Sequence, residues 1–595
     1  MSVLAMRRSA AMALVLAAAL PAGAAEEEAL TLLGRYSSGI FGASAAEITA
    51  YDPTTRRAFV VNAKAGAVDV LDIADPANPR RIGEINANDV APNATVNSLA
   101  VRNGVIALAV EPAVKTDPGF AAFYQVSDFK LLGKVQVGAL PDMLTFTPDG
   151  KTVLVANEGE PADDYAADPE GSISIIDISN PASPTARTAD FRAWNGKEAE
   201  LRAQGARITS PGASVAQDFE PEYIAVSEDG KTAWVALQEN NALARVDIAT
   251  ARVTLVQGLG VKDHGAPGNG LDTSDTDKAA TIKTWAGVKG FYMPDSIAAY
   301  TAGGKTYIVT ANEGDSRPWG EGNKAYWNFN RGDDKAWKGG DAKGAPGFVE
   351  EFRVKHLVNP KGFDGRAGED LPPQLRALAK GAMLSPQVFG YCGATADGPG
   401  DCAKDEALGR LTISWGQGYQ TNADGTPKLS ADGKLVYDTL YAYGARSFSI
   451  RDENGGLVWD SGDAFETRLA ALNPKWFNST HDKNAVDDRS DNKGPEPEGL
   501  ALGQIGDKTY AFIGLERIGG VMVYDITDPR APRFAGYTNS RDFDADPKKD
   551  LAKAGDLGPE GLTFVAAKDS PTGQPLLIVG NEVSGTTALY RITVK

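Results

Sequence analysis

A two-part unit that recurs along the chain constrains the fold more than any other feature of the sequence. Each copy begins with a small residue or Pro followed by a carboxylate, and continues into an apolar strand and a turn. A second apolar strand then ends in Asn/Gln-Glu or a close variant. Leu140-Pro141-Asp142-Met143 leads to Val153-Leu154-Val155-Ala156-Asn157-Glu158, and Glu220-Pro221-Glu222-Tyr223 leads to Trp234-Val235-Ala236-Leu237-Gln238-Glu239. Pro294-Asp295 with Asn312-Glu313, Pro497-Glu498 with Leu515-Glu516, and Pro559-Glu560 with Asn581-Glu582 repeat the scheme. The paired carboxylates stand 16, 17, 18, 18 and 22 residues apart, a spacing that suits an antiparallel hairpin. Two degenerate copies precede them, around Glu47-Ile48-Thr49 with Val60-Val61-Asn62 and around Asn97-Ser98-Leu99 with Ala109-Val110-Glu111.

After most copies a third strand carries its own mark, as in Val68-Asp69-Val70-Leu71-Asp72-Ile73, Ile173-Ser174-Ile175-Ile176-Asp177-Ile178 and Val521-Met522-Val523-Tyr524-Asp525-Ile526. Three strands and an outer fourth, repeated, are propeller blades. The expected fold is therefore all-β, a single seven-bladed β-propeller. Glu313 and Pro497 are too far apart for one blade, so a large insertion from about 315 to 411 is assigned to the fifth blade. Trp319, Trp327 and Trp337 in that stretch suggest an ordered cap.

Rare residues exclude whole chemistries. Three histidines and two cysteines cannot build the ligand sets of zinc hydrolases, copper proteins or iron–sulfur carriers. Any metal must be held mainly by oxygen. With 60 Lys plus Arg against 78 Asp plus Glu, the net charge is −18, which disfavours nucleic acid and anionic membrane and favours cations. No G-x-S-x-G context accompanies a histidine, and Ala266-Pro267-Gly268-Asn269-Gly270 follows no strand, so neither a serine hydrolase nor a nucleotide loop is expected. The acidic run Asp272 to Asp277 reads as a solvated loop rather than a Ca²⁺ loop.

Arg7 and Arg8 precede an apolar run from Ala10 to Leu20, then Pro21 and Ala22-Gly23-Ala24. This is the layout of a secretory signal peptide spanning 1–24, cut near Ala24, which leaves 25–595 as the propeller in a periplasmic or secreted setting. No membrane anchor is expected. Cys392 and Cys402 lie in a Gly/Asp-rich loop, where an oxidising compartment makes a local disulfide the simplest reading.

Innermost propeller strands run the same way, so equivalent positions converge at one end of the channel. Glu158, Glu222, Asp295, Glu313, Asp315, Glu498, Glu516, Glu560 and Glu582 are the candidate metal ligands, with Asp142 and Glu239 at equivalent sites. So many carboxylates would repel one another unless cations neutralise them, and Ca²⁺, which takes about 6 to 8 oxygens, suits the set best. An additional metal would fit as well. Each carboxylate could instead cap a turn, but turn capping would not retain Glu at the second site in five copies. Arg317, Arg446 and Arg489, beside these motifs, are candidates to hold an oxyanion, the alternative being ion pairing with adjacent acids.

Asn157-Glu158-Gly159-Glu160-Pro161, Asp218-Phe219-Glu220-Pro221-Glu222-Tyr223, Asn312-Glu313-Gly314-Asp315-Ser316-Arg317, Arg446-Ser447-Phe448-Ser449-Ile450 and Arg489-Ser490-Asp491-Asn492-Lys493-Gly494-Pro495-Glu496-Pro497-Glu498-Gly499 together resemble the choice-of-anchor I proteins. That family includes bacterial atypical alkaline phosphatases and mesenchyme-specific cell-surface glycoproteins linked to calcium biomineralisation. The resemblance implies a metal-dependent phosphoesterase acting on phosphomonoesters at a carboxylate-lined mouth. The alternative is a non-catalytic Ca²⁺-binding scaffold. No nucleophile is legible in the sequence.

Overall fold

Alternation along the second strand of each repeat explains how the sheets stack. Val153 and Val155 pack toward the preceding sheet, whereas Leu154 and Ala156 pack toward the following one. Successive side chains of a strand point to opposite faces, so a strand covered on both faces must be apolar throughout. The computed structural model describes residues 29–162, 165–320, 326, 347–365 and 371–594. The signal peptide expected over 1–24, and Trp327 and Trp337 of the expected cap, lie outside the described residues.

Seven four-stranded antiparallel sheets are present among the described residues. Their first strands are Thr49–Asp52, Thr95–Arg102, Pro141–Phe146, Pro221–Val226, Ile297–Ala302, Pro497–Ile505 and Pro559–Val565. Each of these strands contacts the first strand of the next sheet, and the seventh contacts the first, so the ring is closed. Each first strand keeps one short edge toward the channel, protected by its neighbours in the ring. The seventh sheet takes its outer strand from the other end of the chain: Leu30–Ser37 pairs antiparallel with Thr586–Ile592. Between every two neighbouring sheets lies a separate apolar core, such as Val61, Val70, Leu108 and Tyr124 between the first two.

The fifth sheet is interrupted. Its second strand ends at Asn312 and its third begins at Ser447, so the insertion runs through 313–446 and extends beyond the expected limit near Leu411. The apolar run Leu440–Ile450 reads as one strand in sequence but divides in two. Leu440–Ala442 pairs in parallel with Val288–Phe291, and Ser447–Asp452 joins the propeller. The break falls at Gly444, with φ +73°, where a Cβ would come within 2.0 Å of the carbonyl oxygen of Glu313. Only glycine fits so close an approach. The insertion has its own core of Phe352, Leu375, Phe389, Ile413, Trp415 and Tyr437, joined by Leu271 and Trp285 from the segment before the fifth sheet. Cys392 and Cys402 are disulfide-bonded there, with Cα atoms 5.3 Å apart. No helix among the described residues is long and apolar enough to cross a membrane.

Candidate metal centre

One backbone device, repeated, delivers the carboxylates to the channel. In four sheets the first strand opens with Pro141, Pro221, Pro497 or Pro559, paired respectively with Asn157, Leu237, Leu515 and Asn581. A register irregularity follows each proline, and the carboxylates Asp142, Glu222, Glu498 and Glu560 sit inside it. Proline tolerates a strand's first position, and a bulge turns the next side chain away from the regular ladder. The carbonyl before the proline then fixes the second carboxylate: the N–H groups of Glu158, Glu516 and Glu582 donate to Leu140, Glu496 and Gly558 at 2.8, 2.9 and 2.8 Å. Leu140, Met293 and Glu496 adopt φ of +46°, +44° and +51°, a conformation costly for such side chains.

The result is a cavity of about 200 Å³ lined by eight carboxylates: Asp142, Glu158, Glu160, Glu222, Glu239, Asp295, Asp315 and Glu560. No Lys, Arg or His is among its lining residues. Glu160 is paired with Lys115 at 2.8 Å, and half-exposed Asp315 lies 3.8 Å from Lys493. The others lack such a partner on the cavity wall.

Three triads converge with ligand oxygens within 4.8 Å of one another: Glu158, Glu222 and Glu239; Asp295, Glu313 and Glu498; and Glu47, Glu560 and Glu582. Oxygens about 2.3–2.6 Å from one Ca²⁺ stand at most about 5 Å apart, so the spacing fits that ion. Glu239 is only 4% exposed and its Oε2 has no hydrogen-bond partner; Oε2 of Glu498 and of Glu560 are likewise unpartnered. Burial, then repulsion from neighbouring carboxylates, pushes Glu158, Glu222, Asp295, Glu498 and Glu560 well above the usual carboxylate range. The same causes raise Asp142 to about 7 and, against a hydrogen bond from Ser44, Glu47 to about 8.

A cationic wall borders the second triad. Lys493 reaches Glu313 at 2.7 Å and Glu496 at 3.3 Å. Glu496 also accepts from Arg489 at 2.6 and 2.9 Å and from Arg517 at 2.8 Å. Against the upward push of burial, these three cations hold the Glu496 carboxyl far below its ordinary value. Glu516 joins this wall, with Arg517 at 2.7 Å and His481 at 3.2 Å.

Of the nine residues expected as ligands, Glu158, Glu222, Asp295, Asp315 and Glu560 line the cavity, Glu313, Glu498 and Glu582 adjoin it through the triads with Asp295 and Glu560, and Glu516 groups with His481 and Glu582 beside Arg517. Arg317 and Arg446 need correction as oxyanion ligands. Arg317 is fully buried, with Nε and Nη2 on Glu220, Nη1 on Thr209 and Nη2 also on the carbonyl of Asp218. Arg446, 3% exposed, is bound by Glu466 and the carbonyls of Asp272, Ser490 and Asn492. Neither guanidinium has an open edge for an anion. Arg489 spends Nε and Nη2 on Glu496. Sequence reasoning missed Glu47 and Glu496 as members of the site; the degenerate first repeat signals Glu47, and its place before Pro497 signals Glu496.

A family model described as the choice-of-anchor I domain matches residues 47–529. Gigasin-3a of Magallana gigas is 32% identical over 205 residues, covering 32% of this chain and 66% of that protein. The mesenchyme-specific cell surface glycoprotein of Strongylocentrotus purpuratus is 26% identical over 337 residues, covering 54% of this chain and 36% of that protein. The chain therefore matches less than two thirds of the length of either relative. Among solved structures, the Myceliophteria thermophila Cps50 (Swd1) beta-propeller domain aligns with 95% of this chain and 100% of its own at 7% identity, with a TM-score of 0.40. Because the family match spans most of the sequence, the chain belongs to the choice-of-anchor I family.

Proposed function

We infer that this protein is an exported, divalent-cation-binding propeller whose carboxylate mouth takes up Ca²⁺ and presents it to an anionic partner outside the cell. One observation carries the reading: the cavity wall gathers eight carboxylates without a basic side chain, and buried oxygens such as Glu239 Oε2 lack any hydrogen-bond donor. Uncompensated buried carboxylates are costly, and a bound cation removes that cost. The export expected from the N-terminal sequence, and the name of the Strongylocentrotus purpuratus relative as a cell surface glycoprotein, support the placement.

A second reading, phosphomonoester hydrolysis, is favoured by the wall of Lys493, Arg489 and Arg517 beside the triad of Asp295, Glu313 and Glu498. A cation there would supply charge neutralisation of a phosphate. Lys493 and Arg517 would orient its oxygens. Carboxylates dominate the cavity lining, which favours cation binding as the first reading.

Purified protein, stripped and reloaded with Ca²⁺, should be titrated calorimetrically and assayed on a panel of phosphomonoesters. Saturable Ca²⁺ binding weakened in Glu239→Gln, with no turnover, is the expected result. Turnover lost in a folded Glu498→Gln variant would establish the second reading, and absence of Ca²⁺ binding would refute both.

A further inference from the structure

A second group of carboxylates lies outside the channel, where the loop 272–281 meets the loop 478–491. Most acids there have cationic partners. Arg446 pairs with Glu466 at 2.7 Å, and Arg410 pairs with Asp275 and Asp491, both at 2.9 Å. Asp272, Asp277 and Asp487 have none of these. Asp272 is instead held by the N–H groups of Ser274 and Thr281, and Asp277 by Ala279 N–H and the Thr281 hydroxyl.

Asp487 is the anomaly. Its residue is 0% exposed, and only one carboxylate oxygen is satisfied, Oδ1 by the Ser490 hydroxyl at 2.6 Å. Oδ2 is buried without a partner. The Asp277 carboxyl is a hydrogen-bonding neighbour of the Asp487 carboxyl, and Asp272 adds repulsion. Two carboxylates from separate loops thus meet, and among the described residues neither is ion-paired to a basic side chain. Next to Ser490, the fully buried Asn478 gives both Nδ2 hydrogens to Glu466 and Ser490 and leaves Oδ1 unpartnered. Asp277 is solvent-exposed, so water can complete a coordination shell from outside. Hard oxygens, an open side and an uncompensated buried carboxylate match the requirements of Ca²⁺.

We propose that Asp487 and Asp277 hold a structural Ca²⁺ ion that pins the 272–281 loop to the 478–491 loop, separately from the mouth. The proposal does not depend on the channel binding cations.

Equilibrium dialysis of the full chain against radiolabelled Ca²⁺ tests it by stoichiometry. Asp487→Asn and Asp277→Asn should each bind one Ca²⁺ fewer per chain than the wild type, while Glu239→Gln, altered only at the mouth, keeps that ion. Asp277 is exposed, so its variant folds even if the buried Asp487 substitution does not. Wild-type stoichiometry in a folded Asp277→Asn variant would overturn the proposal and leave the two carboxyls sharing a proton.

Discussion

The ammonium of Lys493 lies 2.7 Å from Oε1 of Glu313, a residue 180 positions away that directly follows the second strand of the interrupted fifth sheet. Glu496, three residues beyond Lys493, completes the contact at 3.3 Å. This lysine acts as a built-in counter-ion on one side of the mouth, as Lys115 does for Glu160 on the cavity wall.

Removing that counter-ion should be costly. Lys493→Met leaves Glu313 and Glu496 buried with less compensation, and breaking a buried pair from one side costs about 3–5 kcal/mol. Denaturant unfolding in the presence of chelator should show a loss of that size. An unchanged midpoint would mean that Lys493 is not a significant source of neutralisation.

Stability of the metal-free protein should depend on pH in a defined direction. Unfolded carboxyls titrate near pH 4, by about the usual values, whereas Asp142 is raised to about 7 and Glu47 to about 8. The native state therefore binds more protons than the unfolded chain between these limits, so stability falls as pH rises through them. Glu496, depressed by its cations, contributes with the opposite sign and loses its contribution only at pH below that interval. Melting in chelator should be higher at pH 5 than at pH 8, and saturating Ca²⁺ should shrink the difference. A flat profile in chelator would contradict the crowding of carboxylates at the mouth.

Arg317 should behave as a structural residue. Arg317→Met strands Asp218 and Glu220, which lie 3.3 and 3.0 Å from the guanidinium. A destabilisation of about 3–5 kcal/mol is expected by chemical denaturation. Impaired binding of an anionic ligand at wild-type stability would instead return this arginine to the oxyanion role.

The disulfide closes a short loop, with Cys392 and Cys402 separated by 10 positions. Thiol titration of denatured protein should find no free sulfhydryl. Cys402→Ser should cost about 2–3 kcal/mol by loop-closure arithmetic, felt in the insertion core that Cys402 joins. Limited proteolysis should therefore cut the insertion before the seven sheets.

Local chemistry made the repeats readable. The apolar run Val153–Ala156, a Pro-carboxylate opening and a terminal Asn-Glu specify a doubly covered hairpin because strand period and turn preference act between near neighbours. The pairing of Cys392 with Cys402 was legible for the same reason. The apolar run Leu440–Ile450 divides between two sheets because hydrophobicity reports burial but not which sheet provides it, and the close approach at Gly444 depends on the distant Glu313.

Only ring closure decided which carboxylates meet. Glu158 belongs to one hairpin, Glu222 and Glu239 to the next, and their oxygens converge because neighbouring first strands pack side by side around the channel. The arginines were decided in the same way: each follows or flanks an acid in sequence, yet Arg317 turns inward to Glu220 and Arg489 to Glu496. Residue order sets the repeated backbone device, because its hydrogen bonds close within one hairpin. The tertiary structure sets charge pairing, because electrostatic partners are chosen by distance and burial, which no local stretch of sequence contains.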